Sequence, residues 1–144
     1  MERESQRLLE SVMKLIAAQF GPDCEVVLHD WSKDYESTIV AIENGHVSGR
    51  KVGDGGSNLG LEVMRGTTDG SNQLNYITQT QDGRMLRSSS LYLTDEKGNK
   101  VGALCINLDT TKVTEQIAFL QSFLPAAAQS AGKPEAQPAP TPSH

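Results

Sequence analysis

The side chains best suited to nucleophilic chemistry lie close together near the N-terminus, where Cys24 is followed by His29 and Asp30. A thiol, an imidazole and a carboxylate are the groups that a nucleophile, its base and an orienting residue require. The segment has the composition of a β-strand, in which successive side chains point to opposite faces. Because Cys24 and His29 are separated by an odd number of positions, we expect them on opposite faces. The spacing therefore disfavours a cysteine hydrolase.

Metal and cofactor chemistry has equally little support in the spacing of the ligand residues. His29, His46 and Asp30 could each donate a metal ligand, but no His-x-His or Cys-x-x-Cys pattern accompanies them, so no metal site is predicted. A hydrogen-bonding histidine at the end of a strand is the simpler interpretation of His29. Cys105 has apolar neighbours and is predicted to be a buried, unreactive thiol. The sequence shows no Cys-x-x-Cys-His haem attachment and no flavin motif, and it names no cofactor.

A glycine-rich stretch at residues 53–60 has some features of a phosphate-binding loop. A Walker loop, however, needs a lysine followed by serine or threonine after the glycines, and neither is there. A dinucleotide fingerprint needs a third glycine at the position that Asn58 occupies. We therefore interpret the stretch as a loop whose glycines supply positive φ angles.

Residues 84–94 are unusually polar for a strand between hydrophobic ones. With a period of two, one face of this strand carries Leu86, Ser88 and Ser90, and the other carries Arg87, Ser89 and Leu91. One row could line a polar pocket on the concave face of a sheet, with Arg87 pairing with an anionic ligand. The alternative is an antiparallel strand with one solvated face. The sequence leaves both open.

Apolar periodicity defines the elements that must position these side chains. A first helix carries Leu8, Leu9, Val12, Met13, Leu15 and Ile16 on one face, and Gly21-Pro22 ends it. Strands are predicted at residues 24–29 and 37–43, and Asn44-Gly45 then predicts a hairpin turn with residues 46–47 returning. A loop at residues 51–60 and a short helix at about residues 59–65 follow.

The second half of the chain is predicted to be mainly β. Strands are expected at residues 74–81, 84–94 and 100–108, the last of them central in the sheet. A final helix has Asp109 or Thr110 as its N-cap, and its apolar positions are Val113, Ile117, Leu120 and Leu124. Tight turns make the last three strands an antiparallel meander. The predicted fold class is therefore α+β, a five-stranded antiparallel sheet with flanking helices gathered on one side.

Composition limits the organisation and the partners of the chain. The 144 residues suffice for one domain, predicted at residues 1–124, and residues 125–144 hold five of the six prolines and are predicted to be a disordered Ala/Pro-rich tail. A net charge of −5 disfavours direct nucleic-acid binding. The absence of a long apolar run excludes a membrane span, and the N-terminus lacks a secretory signal, so a cytoplasmic location is expected.

Four blocks of the sequence carry a family resemblance: VLHD at residues 27–30, IVAIENGHVSGR at 39–50, DGRMLRSSS at 82–90 and GALCINLD at 102–109. In this order they resemble the YheO-like PAS domain family, over roughly residues 8–122. The resemblance implies a PAS fold and a sensory domain of a bacterial transcriptional regulator. In that family a helix-turn-helix DNA-binding domain normally follows, whereas here only the Ala/Pro-rich tail comes after Leu124.

The resemblance does not assign a ligand, so the candidate ligand-binding residues follow from their chemistry alone. They are the polar residues of the matched blocks: His29, Asn44, His46, Arg50, Arg87, Ser89 and Asn107. Arginine, amide and hydroxyl groups are suited to holding a small polar or amino-acid-like molecule. The leading interpretation is a homodimeric, non-catalytic sensor whose first helix caps the sheet or pairs with its copy through Leu8, Val12 and Leu15. The alternatives are an interaction adaptor without a ligand and, third, a small enzyme.

Overall fold

The structure of the protein is a computed structural model that describes residues 1–55 and 71–126. Its regular elements are helix α1 (Arg3–Phe20), strands β1 (Cys24–Asp30), β2 (Ile39–Glu43), β3 (Gln73–Gln79), β4 (Met85–Thr94) and β5 (Lys100–Asp109), and helix α2 (Thr111–Ser122). The predicted helix at residues 59–65, most of the glycine-rich loop and residues 127–144 of the predicted tail lie outside the described residues.

The five strands form one antiparallel sheet in the order β2-β1-β5-β4-β3. β5 pairs with β1 on one side and with β4 on the other, so the predicted central strand is confirmed. β3, β4 and β5 follow one another through tight turns, which confirms the meander. The predicted α+β class with a five-stranded antiparallel sheet is likewise confirmed.

Helix α1 covers one face of the sheet at β1 and β2. Met13, the most buried residue of the helix, packs with Cys24, Val26, Leu28, Ala41 and Leu104 of the strands. Leu9, Ile16 and Ala17 pack against the same cluster. The helix thus uses only part of its apolar surface, because Leu8 and Leu15 remain 67% and 70% exposed.

The predicted hairpin at Asn44-Gly45 is wrong. Asn44 has left-handed backbone angles, and the chain continues as one turn of 3₁₀ helix, Gly45–Val47, instead of a returning strand. The amide Nδ2 of Asn44 donates to the carbonyl oxygens of Gly21 and Cys24 at 3.1 and 2.8 Å. These bonds hold the turn against the α1–β1 connection, an anchor that local sequence cannot reveal.

Helix α2 forms as predicted, but its apolar positions do not enter a core. Val113, Ile117, Leu120 and Leu124 are all about half exposed or more. Thr110 is the N-cap residue, while Asp109 Oδ1 accepts the N–H of Thr111 at 2.9 Å and its hydroxyl at 2.6 Å. No helix within residues 1–55 and 71–126 combines the length and apolar character needed to cross a bilayer.

Candidate functional site

The sheet face opposite α1 carries the polar side chains. Val26 and Leu28 of β1 pack toward α1, so Glu25 and His29, one position away in each case, point to the other face. A cavity of about 910 Å³ lies on this second face. Its walls include the strand residues His29, Tyr76, Thr78, Ser90, Tyr92, Cys105 and Asn107 and the loop residues Ser48, Arg50 and Asp54.

Glu25 is the centre of a hydrogen-bond network beneath this cavity. Its side chain is fully buried. Oε1 accepts Nδ2 of Asn107 at 2.9 Å, and Oε2 accepts the backbone N–H and the hydroxyl of Ser48 at 3.1 and 2.5 Å. A buried carboxylate with these donors avoids the desolvation penalty that an unpaired charge would suffer.

The network continues across the sheet from Asn107. Its Oδ1 accepts the hydroxyl of Ser88 at 2.7 Å, and the hydroxyls of Ser88 and Thr78 are 2.8 Å apart. Hydrogen bonds therefore connect β1, β5, β4 and β3 without a break. Such a network fixes the orientation of each polar group that it contains. The sheet surface that carries these groups beneath the cavity is called the cavity floor.

Arg50 joins the network from the loop side. Its Nη2 lies 3.5 Å from Glu25 Oε1, and its Nε donates to the hydroxyl oxygen of Ser48 at 3.2 Å. Gly45 makes this loop possible, because a Cβ at that position would lie 2.6 Å from the carbonyl oxygen of Arg50. The loop thus holds the guanidinium group at the cavity wall.

A second polar row crosses the middle of the cavity. The Tyr76 hydroxyl lies 2.5 Å from that of Ser90, and Ser90 donates to the thiol sulfur of Cys105 at 3.2 Å. Burial raises the pKa of both the Cys105 thiol and the Tyr76 phenol, so both stay protonated at neutral pH. Cys105, which the sequence predicts to be buried, is only half-buried, because its side chain borders the cavity.

His29 lies at the other end of the floor. It is 6% exposed, and its Nδ1 is 2.9 Å from the hydroxyl oxygen of Thr38. Nε2 has no hydrogen-bond partner among the described residues. Burial, with a smaller contribution from the positive charge of Arg50, lowers the pKa of His29 to about 4. The imidazole is therefore neutral at physiological pH.

The end of the cavity beside His29 is partly apolar. The rings of Trp31 and Tyr92 lie 5.8 Å apart between centroids and are tilted by 47°. Both pack against Ala103, which pairs with His29 across the β1–β5 ladder. Strand geometry places this row about 13 Å from the row of Glu25 and Asn107. The cavity therefore has an aromatic end and a polar end.

The structure brings together three of the seven candidate residues: His29, Arg50 and Asn107 all line the cavity. Asn44 and His46 are elsewhere and bond to the backbone of the α1–β1 connection. His46 Nε2 lies 2.7 Å from the carbonyl oxygen of Pro22, beside the bonds of Asn44 described above.

Arg87 and Ser89 lie on the opposite face of the sheet from the cavity. The register of β4 against β5 pairs Ser88 with Asn107, so the serine row points inward and the row of Arg87 points outward. Arg87 donates through Nε and Nη2 to Asn75 Oδ1 at 3.1 and 2.7 Å, and Ser89 Oγ accepts the N–H of Asn75. Arg87 consequently cannot contact an anion held in the cavity.

Sequence reasoning missed Glu25, which organises the floor. A signal was present, because Glu25 is a charged residue within an otherwise apolar stretch of β1 and shares the two-residue alternation of His29. Buried charges occur where they are paired. Tyr76, Thr78 and Ser48 gave no comparable signal, since each reaches the cavity only through the pairing and loop geometry.

The Cys24, His29 and Asp30 combination is not assembled into a catalytic group. As predicted, Cys24 lies on the α1 face, away from His29. The carboxylate of Asp30 accepts a hydrogen bond from the N-terminal ammonium group of Met1 at 3.0 Å. It also accepts hydrogen bonds from the backbone N–H and the hydroxyl of Ser32. Nor does the described part of the chain contain three or more His, Cys, Asp or Glu side chains grouped as metal ligands.

The model of the YheO-like PAS domain family matches residues 2–125. The chain belongs to this family. The match covers nearly the whole chain and confirms the resemblance seen in the four sequence blocks. The cavity described above is thus a cavity of a PAS domain.

The relatives of this PAS domain include one that is named a transcriptional regulator. It is 36% identical over 110 residues to the transcriptional regulator DauR of Pseudomonas aeruginosa, covering 76% of this chain and 49% of that protein. It is 28% identical over 118 residues to the uncharacterized protein YheO of Escherichia coli K12, covering 81% and 48%. An uncharacterized Haemophilus influenzae protein is 29% identical over 124 residues, covering 84% and 55%. The chain therefore spans about half the length of these relatives.

Among solved structures, the PAS domain is similar to the dark structure of the blue-light photoreceptor Aureochrome1 LOV, with 17% identity and a TM-score of 0.45. That match covers 76% of this chain and 91% of the other. An RNA-binding Light-Oxygen-Voltage receptor matches with 16% identity and a TM-score of 0.45, covering 81% and 38%.

Proposed function

We propose that this PAS domain is a non-catalytic, cytoplasmic sensory module that binds a small polar molecule in the cavity and thereby regulates transcription. The observation that carries the proposal is the cavity itself, together with the buried His29 on its wall, whose Nε2 has no partner among the described residues. A buried polar atom without a partner is costly, and a ligand would remove that cost. The pocket also has the mixed apolar and polar lining typical of small-molecule sites.

The regulatory part of the proposal draws on the relative that is named a transcriptional regulator, DauR. This chain spans about half of that protein, and its net charge of −5 is unfavourable for contact with phosphate backbones. We therefore place DNA contact outside these 144 residues, in another domain or in a partner. The PAS domain would transmit the occupancy of its cavity to that domain or partner.

The test of ligand sensing is native mass spectrometry of freshly purified protein, followed by thermal-shift screening of small polar metabolites. We expect an extra mass that disappears on denaturation, or compounds that raise the melting temperature. The variant Ser90→Phe, which places a ring in the cavity, should lose this response. Ser89→Phe, on the opposite face of the same strand, is the matched control and should keep it. A wild-type protein that retains nothing and responds to no compound would contradict the proposal.

We also propose that the PAS domain forms a homodimer through the exposed apolar surface of α1. Leu8 and Leu15 are exposed, and Val12, partly exposed, lies between them at spacings of four and three residues, as along a helix–helix seam. Light scattering coupled to gel filtration should show a dimer that Leu15→Asp dissociates. Lys14→Asp places the same side chain at an exposed position about 100° around the helix from Leu15 and should remain dimeric. A dimer unchanged by Leu15→Asp would exclude this surface.

A further inference from the structure

Arg50 is the one cationic side chain among the described residues that line the cavity. His29, the nearest alternative, is neutral because its burial lowers its pKa to about 4. The side chain of Arg50 is 29% exposed, and its Nη1 has no hydrogen-bond partner among the described residues. Guanidinium N–H groups in this situation are available to an acceptor in the cavity.

The contact with Glu25 leaves the positive charge of Arg50 available to a ligand. Both carboxylate oxygens of Glu25 already accept hydrogen bonds, from Asn107 and from Ser48, at 2.5–3.1 Å. The contact to Arg50 is longer, 3.5 Å, and involves only Nη2. Glu25 therefore orients the guanidinium group, whose remaining N–H groups have no hydrogen-bond partner within residues 1–55 and 71–126.

The positive charge of Arg50 acts on groups from three strands around the cavity. It lowers the pKa of His29 on β1, and it counteracts in part the rise that burial causes in the pKa of Tyr76 on β3 and Cys105 on β5. All three side chains line the cavity. A ligand bound among them lies within the field of the guanidinium group.

Two carboxylates, Glu36 and Asp54, line the same cavity and restrict the anion that it accepts. They would repel a dianion such as a phosphate monoester more strongly than a singly charged group. Trp31, Tyr92 and Ala103 offer an apolar wall for a carbon skeleton. A planar carboxylate also matches the parallel N–H donors of a guanidinium group.

On these observations, we propose that the cavity binds an organic monocarboxylate whose carboxylate accepts hydrogen bonds from Arg50, with Glu25 as the positioning residue. This inference rests on the proposed ligand-sensing function and adds the chemical class of the ligand. It also transfers the anion-binding role from Arg87 to Arg50. The neutral imidazole of His29 supplies a further hydrogen bond through Nε2.

The test uses matched probes on isotope-labelled protein observed by NMR at constant ionic strength. Acetate, propanoate and benzoate are compared with acetamide, propanamide and benzamide, and with methyl phosphate. The signals followed are Nε–H of Arg50, the side-chain amide of Asn107 and the imidazole of His29. We expect the carboxylates to reach half of the maximal chemical-shift change at a concentration at least about tenfold lower than the amides do. A roughly tenfold difference in affinity is what one hydrogen bond between charged groups contributes.

Variants separate the role of Arg50 from general binding. Arg50→Gln should remove the preference for carboxylates over amides, and Arg50→Lys, which keeps the charge, should restore part of it. Arg87→Gln removes an arginine from the outward face and should behave as wild type. The comparison of carboxylate with amide in the wild-type protein remains decisive even where Arg50→Gln fails to fold.

Each result has a distinct meaning. Equal responses to carboxylates and amides, a stronger response to methyl phosphate, or an unchanged preference in folded Arg50→Gln would overturn the inference but leave the ligand-sensing function intact. If neither class of probe moves the cavity signals, the cavity does not admit small molecules. The proposed function then fails, and the inference fails with it.

Discussion

Glu25 shows how one buried charge organises the polar half of the sheet. Its carboxylate takes donors from the loop after β2, through Ser48, and from β5, through Asn107. If one hydrogen-bond donor to a buried carboxylate is removed, the carboxylate remains out of water. The desolvation cost then stays the same, but less of it is compensated. The stability of the cavity floor should therefore depend on the amide groups around Glu25 more than on the loosely attached Arg50.

We predict that Asn107→Ala lowers the free energy of unfolding by about 2 kcal/mol, because Glu25 loses a donor and Ser88 loses its acceptor. Urea denaturation measures this difference. Asn99→Ala, in the exposed turn between β4 and β5, is the control and should stay within about 0.5 kcal/mol of wild type. Equal losses in the two variants would show that the network adds no stability.

The neutral state of His29 leads to a prediction of pH dependence. In the unfolded chain the imidazole takes up a proton near pH 6.5, whereas in the folded protein it does so only near pH 4. Between these values the unfolded state binds more protons, so the unfolding free energy should decrease as the pH falls, by at most about 1.4 kcal/mol per pH unit. His29→Gln should show a shallower decrease in this window. Urea unfolding across the range, with NMR titration of the imidazole, provides the measurement.

Two of the three candidate residues that line the cavity do so for a reason visible in the sequence. His29 and Asn107 are polar residues within strands of apolar character, where an inward polar side chain usually has a partner. Arg50 instead reaches the cavity from the loop after β2, whose path the sequence does not reveal. For β4, alternation separated the row of Arg87 from the row of Ser88 correctly. It could not say which row points into the cavity, because that depends on the register with β5.

The close contact between β1 and β5 depends on a glycine. A Cβ at Gly102 would lie 2.2 Å from the carbonyl oxygen of His29. We predict that Gly102→Ala separates the two strands at this point and destabilises the protein by about 2 kcal/mol. The same change should shift the NMR signals of the His29 imidazole. Lys100→Ala, at the exposed start of β5, is the control for thermal denaturation, and a similar melting temperature for both variants would contradict the prediction.

The order of the elements was predictable because each strand and helix has its own local pattern. The α1 periodicity, the tight turns of the meander and the apolar β5 each depend on neighbours in sequence. Asn44 was misjudged because its conformation depends on carbonyl groups 20 and 23 residues away. The exposure of the apolar residues of α2 could not be predicted from the sequence either, since periodicity indicates an apolar face but not what covers it.

The outer surface combines exposed apolar side chains with an overall negative charge. Leu8 and Leu15 of α1 are joined in this respect by Leu91 of β4 and by Val113 and Ile117 of α2. Apolar surface favours association, and the net charge of −5 on each copy opposes it. The strength of self-association should therefore depend on how well the solvent screens the charge.

We predict that the proposed homodimer becomes tighter as the salt concentration rises from about 0.01 M to 1 M, a range in which the screening length falls from about 30 to 3 Å. Sedimentation velocity at several protein concentrations gives the dissociation constant. Leu15→Asp should remain monomeric over the whole range. A dimer that dissociates with salt would instead indicate an interface made of ion pairs.

The two cysteines lie on opposite faces of the sheet, so the reactivity of one relative to the other reports on the cavity. Cys24 is sealed under α1, whereas Cys105 borders the cavity beside Ser90. A small thiol reagent should label Cys105 first, and slowly, since burial raises the pKa of its thiol. A molecule in the cavity should slow this labelling further, and intact-protein mass spectrometry would follow it, with Cys24 as the internal reference. Occupancy of the cavity could then be followed without a fluorophore or any substitution.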